Sequence, residues 1–350
     1  MKVWGITVID AAGWRRLRRA AVVLAGLLAV LWAVMVWMPG RSFRGPLPGP
    51  SADEARLAVG LEADVRHLAG PLADRNVYSP KVLDAAVRWL EGRFAACGYA
   101  TTRQTYQDSG EACHNVIAEL RGTRHPERIF VIGAHYDSEG STPGADDNAS
   151  GVAALLALAE QFAGRPLPVT LQFVAFVNEE PPHFWTETMG SYVHAQSLRR
   201  AKAQVLGMWS LESLGYYRTE RGTQTYPGLS HANPLDLLYP DTGDFVAFVG
   251  NAGSGRLVRR SVSAFRRQVA FPSEGMAATA WLPGIGWSDH WSYWKAGYPA
   301  LMVTDTAPFR NPNYHQPSDT PETLDFERLA RVTAGLARIL PTVVAAASGR

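Results

Sequence analysis

Apolar positions along this chain follow two different patterns. Ala20 to Met38 is a run of nineteen residues without a charge, and beyond residue 50 short apolar runs alternate with stretches of helical spacing. Because about 20 apolar residues span a bilayer core, the first run predicts a single transmembrane helix. Alternating strands and helices are typical of α/β proteins with a mainly parallel sheet.

The second region is predicted to contain helices and strands in alternation. Apolar periodicity predicts helices over 52–68, 79–96, 148–162, 191–202 and 256–268, and the sequence TPET at Thr320 predicts the start of a last helix that runs to about Ala347. Strands are predicted over 115–120, 128–134, 169–177, 205–211, 245–250 and 299–303. The segment 219–241, rich in Gly, Pro, Thr and Asn, is predicted to be a surface insertion. We therefore expect a three-layer α/β sandwich with a mainly parallel central sheet, preceded by one transmembrane helix.

Residues around the apolar run predict its topology. Four arginines precede it, and Trp14 and Trp37 lie near its two ends, where interfacial aromatic residues are expected. The positive-inside rule places the arginines in the cytoplasm and everything after residue 40 outside. A cleaved signal peptide is the alternative, but the run exceeds the roughly 7–15 apolar residues of such a peptide, and no small-x-small site precedes Pro39.

This pattern divides the chain into four parts. We expect a cytoplasmic segment over 1–19, a membrane anchor over 20–38, a Pro/Gly-rich stiff spacer over 39–50 and a single catalytic domain over 51–350. The lipid bilayer is therefore an expected partner through residues 20–38, and the domain is expected in the periplasm or outside the cell.

Composition narrows the function classes. With 34 Lys+Arg against 32 Asp+Glu and one dense basic cluster before the apolar run, nothing in the chain indicates a nucleic-acid partner. Both cysteines, Cys97 and Cys113, lie in the exported part, where an oxidising compartment favours a disulfide. The alternative is that the two cysteines are isolated small apolar side chains, and the sequence does not decide between this and a disulfide. The oligomeric state is likewise not determined by the sequence.

Polar side chains at predicted strand ends carry the candidate chemistry. His135, Glu179, Glu180 and Glu212 all lie at or just after the end of a strand, and the carboxyl ends of parallel strands meet at one rim of the sheet. Asp147 opens the helix that follows the first of these strands, and His315 lies further along. Together these residues form a set of oxygen and nitrogen ligands without a thiolate, which indicates metal-assisted hydrolysis.

Each of these residues also has an ordinary structural interpretation. A lone histidine at a strand end is often a hydrogen-bonded core residue, and adjacent glutamates are usually part of a solvated loop. Glu179 and Glu180, however, follow the apolar strand LQFVAFV almost directly, and buried carboxylates are rare unless they are paired or bind metal. Their side chains diverge, so that one can bind metal while the other acts on water. His135 and Asp137 face the same side of a strand, which lets the carboxylate orient the imidazole.

Six motifs in order give the chain a family resemblance. AHYDS, PGADDNASG, FVNEEPP, SLESLGYY, SDHWSYW and NYHQPSDT lie within a region that extends roughly over 64–343. In this the chain resembles the zinc-dependent aminopeptidases related to bacterial leucyl aminopeptidases, whose fold also hosts glutaminyl cyclases and glutamate carboxypeptidases. The resemblance implies that His135 and Glu212 hold one zinc ion and that Glu180 and His315 hold the other, with Asp147 as the bridge.

The same resemblance implies further roles. Glu179 would be the general base and Asp137 the carboxylate behind His135. The chain departs from the well-known members at Glu212, where they have an aspartate; a glutamate is a competent ligand one methylene longer. Tyr314 is placed to donate to an oxyanion or to pack as a half-buried tyrosine. Asp289 and His290 are interpreted as structural or as a substrate-amine site, and four aromatic residues line either a pocket or the core: Phe184, Trp185, Trp287 and Trp291.

These observations predict a membrane-anchored, extracytoplasmic aminopeptidase. It is expected to hold two Zn²⁺ ions, with Co²⁺ or Mn²⁺ as alternatives, and to act on peptides with a free N-terminus. A glutaminyl cyclase-like zinc acyltransferase and a catalytically inactive display domain are the alternative functions.

Overall fold

The computed structural model describes residues 2–3, 6–7, 10–108, 110–228 and 234–347. Its helices are α1 (Ala11–Met35), α2 (Ala52–Ala69), α3 (Pro80–Ala96), α4 (Gly151–Phe162), α5 (Gly190–Arg200), α6 (Gly255–Gln268), α7 (His290–Lys295), α8 (Ala307–Arg310) and α9 (Phe326–Ala347). Its strands are β1 (Lys2–Val3), β2 (Ile6–Thr7), β3 (Thr101–Asp108), β4 (Glu111–Leu120), β5 (His125–His135), β6 (Val169–Phe176), β7 (Gln204–Glu212), β8 (Val246–Asn251), β9 (Ser273–Ala278) and β10 (Ala300–Thr304).

One eight-stranded sheet forms the centre of the domain, in the order β3-β4-β6-β5-β7-β10-β8-β9. Four of its seven neighbouring pairs are parallel, namely β5 with β6, β5 with β7, β7 with β10 and β8 with β9. A large apolar core joins one face of the sheet to α2, α3, α4, α6 and α9, and a smaller core joins the other face to α5 and α7. The predicted three-layer sandwich with a mainly parallel sheet is confirmed.

The central strands form where the sequence is apolar on both faces. Every residue of β6, VTLQFVAF, is buried, and so is the second half of β5. Strands covered by helices on both sides bury side chains pointing in both directions, which explains the continuous apolar runs that predicted them. These strands are aligned so that His135 lies beside Phe176, and their carboxyl ends therefore meet at one edge.

Most predicted elements agree with the structure to within a few residues, and the exceptions have physical causes. The edge strands β3, TTRQTYQD, and β9, SEGMAA, were not predicted, because neither has an apolar run that marks a buried strand. The last helix begins at Phe326 and not at Thr320: Asp325 accepts the backbone N–H of Arg328 at 2.9 Å, while TPET forms only a short 3₁₀ turn without a side-chain cap. The helix predicted from residue 148 begins regularly at Gly151.

The two cysteines do not form a disulfide in this structure. Cys97 and Cys113 are free thiols, and the Asn178 amide donates to the buried sulfur of Cys113 at 3.3 Å, so the disulfide alternative is not formed. Residues 229–233 of the predicted insertion lie outside the described residues, as do five residues of the predicted cytoplasmic segment and the last three of the chain.

Two helices in the described part of the chain are long and apolar enough to cross a membrane. The first, α1, is not buried in the domain, whereas the apolar window of α9 is 61% buried, which identifies α9 as a core helix. The chain that follows α1 lies against the domain: Ser273 donates its backbone N–H to Ser42 Oγ at 2.8 Å, and Arg331 donates to the Pro48 carbonyl at 2.6 Å.

We expect two buried histidines to make the domain sensitive to acid. Burial lowers the pKa of His194 and of His290 to about 4, from an ordinary value of 6.5. Between these values the unfolded chain binds protons that the native state does not, so stability is lost as the pH falls. From pH 7 to pH 5, wild-type protein should lose about 2 kcal/mol more unfolding free energy than His194→Gln, since a pKa unit corresponds to about 1.4 kcal/mol.

Denaturant unfolding at the two pH values measures this difference. His125→Gln, which removes an exposed histidine at the start of β5, is the matched control for the substitution. Equal losses in wild type and His194→Gln would show that the buried imidazole takes up a proton without unfolding.

Candidate metal centre

Three neighbouring strands bring the predicted strand-end residues to one rim. β6, β5 and β7 lie side by side in the sheet. β5 ends at His135, β7 ends at Glu212, and Glu179 and Glu180 follow β6 after a turn of two residues. This is the expected place for a ligand site in an open parallel sheet, beyond the carboxyl ends of the strands.

Two loops complete the site from the side of the helices. Asp147 lies in an irregular turn, Ala145–Ser150, between β5 and α4. Asp319 holds this turn, because its carboxylate accepts the backbone N–H groups of Asp146 at 2.9 Å and Asp147 at 3.1 Å. His315 comes from the loop after α8, where it has the left-handed backbone conformation, with φ of 56°.

Five predicted ligands form two clusters that share Asp147. In the first, His135 Nε2 lies 3.3 Å from Asp147 Oδ1 and 3.3 Å from Glu212 Oε2. In the second, His315 Nε2 lies 3.1 Å from Asp147 Oδ2 and 3.3 Å from Glu180 Oε2. Asp147 thus presents one carboxylate oxygen to each cluster, and each cluster has three candidate protein ligands, the number that is typical of a catalytic zinc site.

The donor atoms of these clusters fit a divalent cation. Four of them are buried and have no hydrogen-bond partner among the described residues: His135 Nε2, Asp147 Oδ1, Glu180 Oε1 and His315 Nε2. Buried polar atoms without partners are costly, and metal ligation is one way in which proteins satisfy them. Imidazole nitrogen and carboxylate oxygen are ligands that zinc accepts in tetrahedral sites.

Charge also favours a cation here. The site gathers four carboxylates, those of Asp147, Glu179, Glu180 and Glu212, around two imidazoles. Burial raises the pKa of Glu180 to about 8 and that of Glu179 well above its usual range. Burial acts to raise the pKa of Asp147 as well, but the imidazoles of His135 and His315, 3.3 and 3.1 Å from its oxygens, bring it below its usual value. Without a bound cation the carboxylates repel one another, and a divalent ion removes that repulsion.

Asp137 supports both the imidazole and the glutamate pair. The Nδ1 atom of His135 is 3.2 Å from the Asp137 backbone carbonyl and 3.6 Å from its carboxylate. That carboxylate accepts the backbone N–H groups of Glu179 at 3.2 Å and Glu180 at 3.0 Å. Asp137 therefore fixes the direction in which the two glutamates leave the strand, a contact that sequence reasoning did not anticipate.

Glu212 has a supporting hydroxyl that was also not anticipated. Ser288 Oγ donates to Glu212 Oε2 at 2.6 Å and is itself 2.8 Å from Ser210 Oγ on β7. Both Ser288 and Asp319 belong to the motifs SDHWSYW and NYHQPSDT, and their position in those motifs is the only sequence signal that could have found them.

The remaining candidates surround the centre. The ring of Tyr314 stacks on His315 with centroids 3.9 Å apart, and burial raises its pKa, so that it stays a hydrogen-bond donor. Asp289 is fully buried, and burial raises its pKa to about 7. His290 Nε2 lies 2.7 Å from the Ile285 carbonyl, which is a structural contact. Trp185 stacks between Phe184 and Trp291, and Trp287 stacks on Phe309.

An apolar cavity opens beside the metal centre. Glu212 and Tyr314 line it together with Tyr226, Phe245, Ala247, Ile285, Met302 and Phe309. β9 contributes Glu274, Gly275 and Met276 to its lining. Trp287 also lines this cavity, whereas Phe184, Trp185 and Trp291 do not.

Sequence comparison relates the chain to peptidases. The sequence model of peptidase family M28 matches residues 115–340. An uncharacterized protein of Escherichia coli (strain K12), YfbL, is 38% identical over 299 residues, which are 83% of this chain and 90% of that protein. A probable zinc metalloprotease of Pyricularia oryzae is 37% identical over 116 residues, which are 31% of this chain but only 22% of the longer protein.

Solved structures share the fold at low sequence identity. A zinc aminopeptidase from Bacillus subtilis has a TM-score of 0.59 at 13% identity, covering 83% of this chain and 95% of its own. A glutaminyl cyclase from Fimbriiglobus ruber has a TM-score of 0.60 at 18% identity, covering 85% of this chain and 97% of its own. At these identities the likeness establishes the fold, which one group of enzymes uses for hydrolysis and another for cyclisation.

Proposed function

Since the chain belongs to peptidase family M28, a family of zinc-dependent peptidases, we propose that it is a membrane-anchored aminopeptidase that removes N-terminal residues from peptides outside the cytoplasm. The observation that carries this proposal is the pair of three-ligand clusters that share Asp147. The anchor is the apolar part of α1, residues 20–35 of the predicted span 20–38, with the catalytic domain in the periplasm or outside the cell.

Two zinc ions are proposed, one for each cluster. His135, Asp147 and Glu212 would hold the first, and Asp147, Glu180 and His315 the second. When bound, such ions supply Lewis acidity, which makes water acidic near neutral pH and polarises the scissile carbonyl group.

Glu179 moves the proton of the reaction. Its carboxylate lies at the rim, 3.9 Å from His135 Nε2, which is further from this histidine than the oxygens of Asp147 and Glu212 at 3.3 Å. It accepts the proton of the attacking water and delivers it to the departing amine. Tyr314 donates a hydrogen bond to the carbonyl oxygen as negative charge develops on it.

The cavity beside Glu212 and Tyr314 selects the first residue of the substrate. Its lining is mainly apolar and aromatic, so it accepts large apolar side chains. The carboxylates of the neighbouring metal centre, of which Glu212 lines the cavity, attract the positively charged α-amino group of a free N-terminus.

A glutaminyl cyclase-like acyl transfer is the second candidate, because structures with that activity share the fold. Cyclases of this fold typically use one zinc ion. The presence of two clusters that share Asp147 favours the peptidase, because an enzyme that uses one zinc ion needs only one cluster.

The test uses full-length protein in detergent, loaded with zinc. Release of amino acids from amide-linked chromogenic substrates, with two zinc ions per chain by elemental analysis, is the expected result. One zinc ion per chain with conversion of N-terminal glutamine to pyroglutamate would establish the cyclase instead. An inactive display domain would give neither product. Retention in the membrane pellet after alkaline extraction tests the anchor separately.

The cavity gives a specificity prediction. Ala247, on β8, lines it and is 5% exposed, so Ala247→Phe should fill it. We expect kcat/KM for leucyl and phenylalanyl substrates to fall about 10–200-fold, the usual range for one side-chain mismatch, and kcat/KM for alanyl substrates to change much less. Ala247→Ser, which leaves the cavity open, is the matched control. An equal loss on all substrates would show that the first side chain binds elsewhere.

A further inference from the structure

The end of the anchor helix is held by two arginines of α6. Arg259 donates to the Val34 carbonyl, inside the last turn of α1, at 2.9 Å. Arg266 donates to the Met38 carbonyl at 3.4 Å and to the Gly40 carbonyl at 3.2 Å. α6 therefore lies where the chain leaves the proposed membrane span, and its orientation relative to that span is fixed at several points.

Packing against the edge strand strengthens this attachment. Met38 is buried, and a Cβ atom added at Gly275 would meet its side chain at 3.0 Å, so the methionine lies directly on β9. β9 is an edge of the central sheet. The anchor thus continues into a segment that is packed against β9, and no flexible linker separates the anchor from the domain.

The solvent side of α6 is positively charged. Arg256, Arg260 and Arg267 are exposed and follow the helical repeat, beside the row that holds the anchor. Within the part of the chain that the structure describes, no carboxylate forms an ion pair with any of these three. Three unpaired guanidinium groups at the exit of an anchor match the phosphate groups of a lipid surface.

Exposed apolar side chains lie next to the same exit. Leu237 is 89% exposed and Leu238 is 45% exposed. Both precede Tyr239, whose hydroxyl donates to the Gly275 carbonyl at 3.0 Å, and Gly275 is the residue on which Met38 packs. Trp37, at the end of the anchor, is 47% exposed. Large apolar side chains exposed beside positive charge are typical of surfaces that lie in the membrane interface.

We propose that this juxtamembrane face, formed by Trp37, Leu237, Leu238, Arg256, Arg260 and Arg267, rests on the bilayer and binds anionic phospholipid headgroups. The inference rests on the proposed anchor, because a domain without one has no reason to turn this edge toward a membrane. The arginines bind headgroup phosphates, and the leucines enter the interface beside Trp37.

This contact has a consequence for the candidate active site. β9 lies between the two: a Cβ atom added at Gly275 would meet Met38 and Val262 of α6, while Glu274, Gly275 and Met276 all line the cavity. Glu274 also forms an ion pair with Arg266 of α6 at 3.1 Å. The juxtamembrane face and the cavity are therefore separated by one strand. An enzyme held in this way has its substrate cavity close to the lipid surface, at a fixed orientation.

The experiment places a fluorescent probe either on the proposed juxtamembrane face or at the opposite edge of the sheet. Full-length protein with Cys97→Ala and Cys113→Ala receives either Leu237→Cys or, as the matched control, Thr102→Cys. Thr102 is exposed on β3, at the opposite edge of the eight-stranded sheet, about 34 Å away at roughly 4.8 Å per strand. Each labelled protein is placed in nanodiscs whose lipids carry a nitroxide quencher, with or without anionic phospholipid.

We expect quenching at position 237 to exceed quenching at 102 at least threefold in anionic nanodiscs and to fall in zwitterionic ones. R256Q/R260Q/R267Q, which leaves Arg259 and Arg266 in place, should reduce quenching at 237 in anionic nanodiscs to the zwitterionic level.

The inference is wrong if quenching is equal at both positions. It is also wrong if quenching at 237 depends neither on lipid charge nor on the triple substitution. Neither result contradicts the proposed anchor. Two chains per disc with position 237 protected from the quencher also overturn the inference, since a second copy then covers the face. Failure of the chain to stay in the nanodiscs refutes the anchor and the inference with it. Peptidase activity, measured separately on amide substrates, tests the proposed reaction independently of these outcomes.

Discussion

Glu179→Gln should reduce kcat about 10³–10⁴-fold and leave the zinc content unchanged, since positioned general acid–base groups contribute up to about 10⁴-fold. The amide has the size of the carboxylate but accepts no proton from water at neutral pH. Glu179 Oε2 is 3.9 Å from His135 Nε2, further than the oxygens of Asp147 and Glu212 at 3.3 Å, which favours the proposed base role. Glu179 also groups with His135 and Glu180 within coordination reach, so the zinc content of this variant distinguishes a base from a ligand.

Steady-state kinetics on an amide-linked chromogenic substrate, together with elemental analysis of the same preparation, give both readouts. Glu187→Gln is the matched control, because it makes the same change at an exposed glutamate of the same loop. Wild-type kcat in Glu179→Gln would exclude the base assignment. Loss of zinc from this variant would show that Glu179 is a ligand.

Zinc content and kcat together also distinguish the role of Glu179 from that of Glu180. Glu180 Oε2 lies 3.3 Å from His315 Nε2, and its other oxygen has no hydrogen-bond partner among the described residues, so Glu180→Gln should lower zinc content as well as kcat. The two glutamates diverge because Asp137 holds both of their backbone N–H groups at the end of β6.

The strand-end residues of the candidate site were predictable because the spacing of apolar residues and their burial are local features of the sequence. IFVIGA and LQFVAFV mark strands buried on both faces, and the polar residues that follow them can only lie at the rim. This places His135, Glu179 and Glu180 from the sequence alone. Asp147 and His315 depend on loops, and only the motifs around them pointed to the site.

The supporting contacts were not predictable, because they join distant parts of the chain. Asp319 holds the backbone of Asp147 across 172 residues, and Ser288 reaches Glu212 across 76. Contacts between residues so far apart in the chain leave no local pattern in the sequence. The attachment of the segment after α1 to β9 was unpredictable for the same reason. Arg266 and Met38 are 228 residues apart, and their contact depends on an edge strand that has no apolar run.

The shared carboxylate leads to the second large effect. Asp147→Asn should lower zinc content toward zero and abolish activity, because both clusters lose an anionic oxygen at once. Losing a group that merely supports a ligand costs roughly 10–100-fold in metal affinity, and losing a ligand of two sites exceeds that. Asparagine keeps the size of the side chain but has one neutral oxygen in place of two that share a negative charge.

Glu212→Gln is the comparison that makes this prediction specific. Glu212 contacts only the His135 cluster, so its loss should leave the ion held by Asp147, Glu180 and His315, with about one zinc per chain. Elemental analysis after equilibration at a limiting free zinc concentration distinguishes the two variants, and thermal unfolding with and without zinc checks that both fold. If Asp147→Asn and Glu212→Gln retained the same amount of zinc, Asp147 would serve one ion only, and the shared-carboxylate arrangement on which the proposed reaction depends would be wrong.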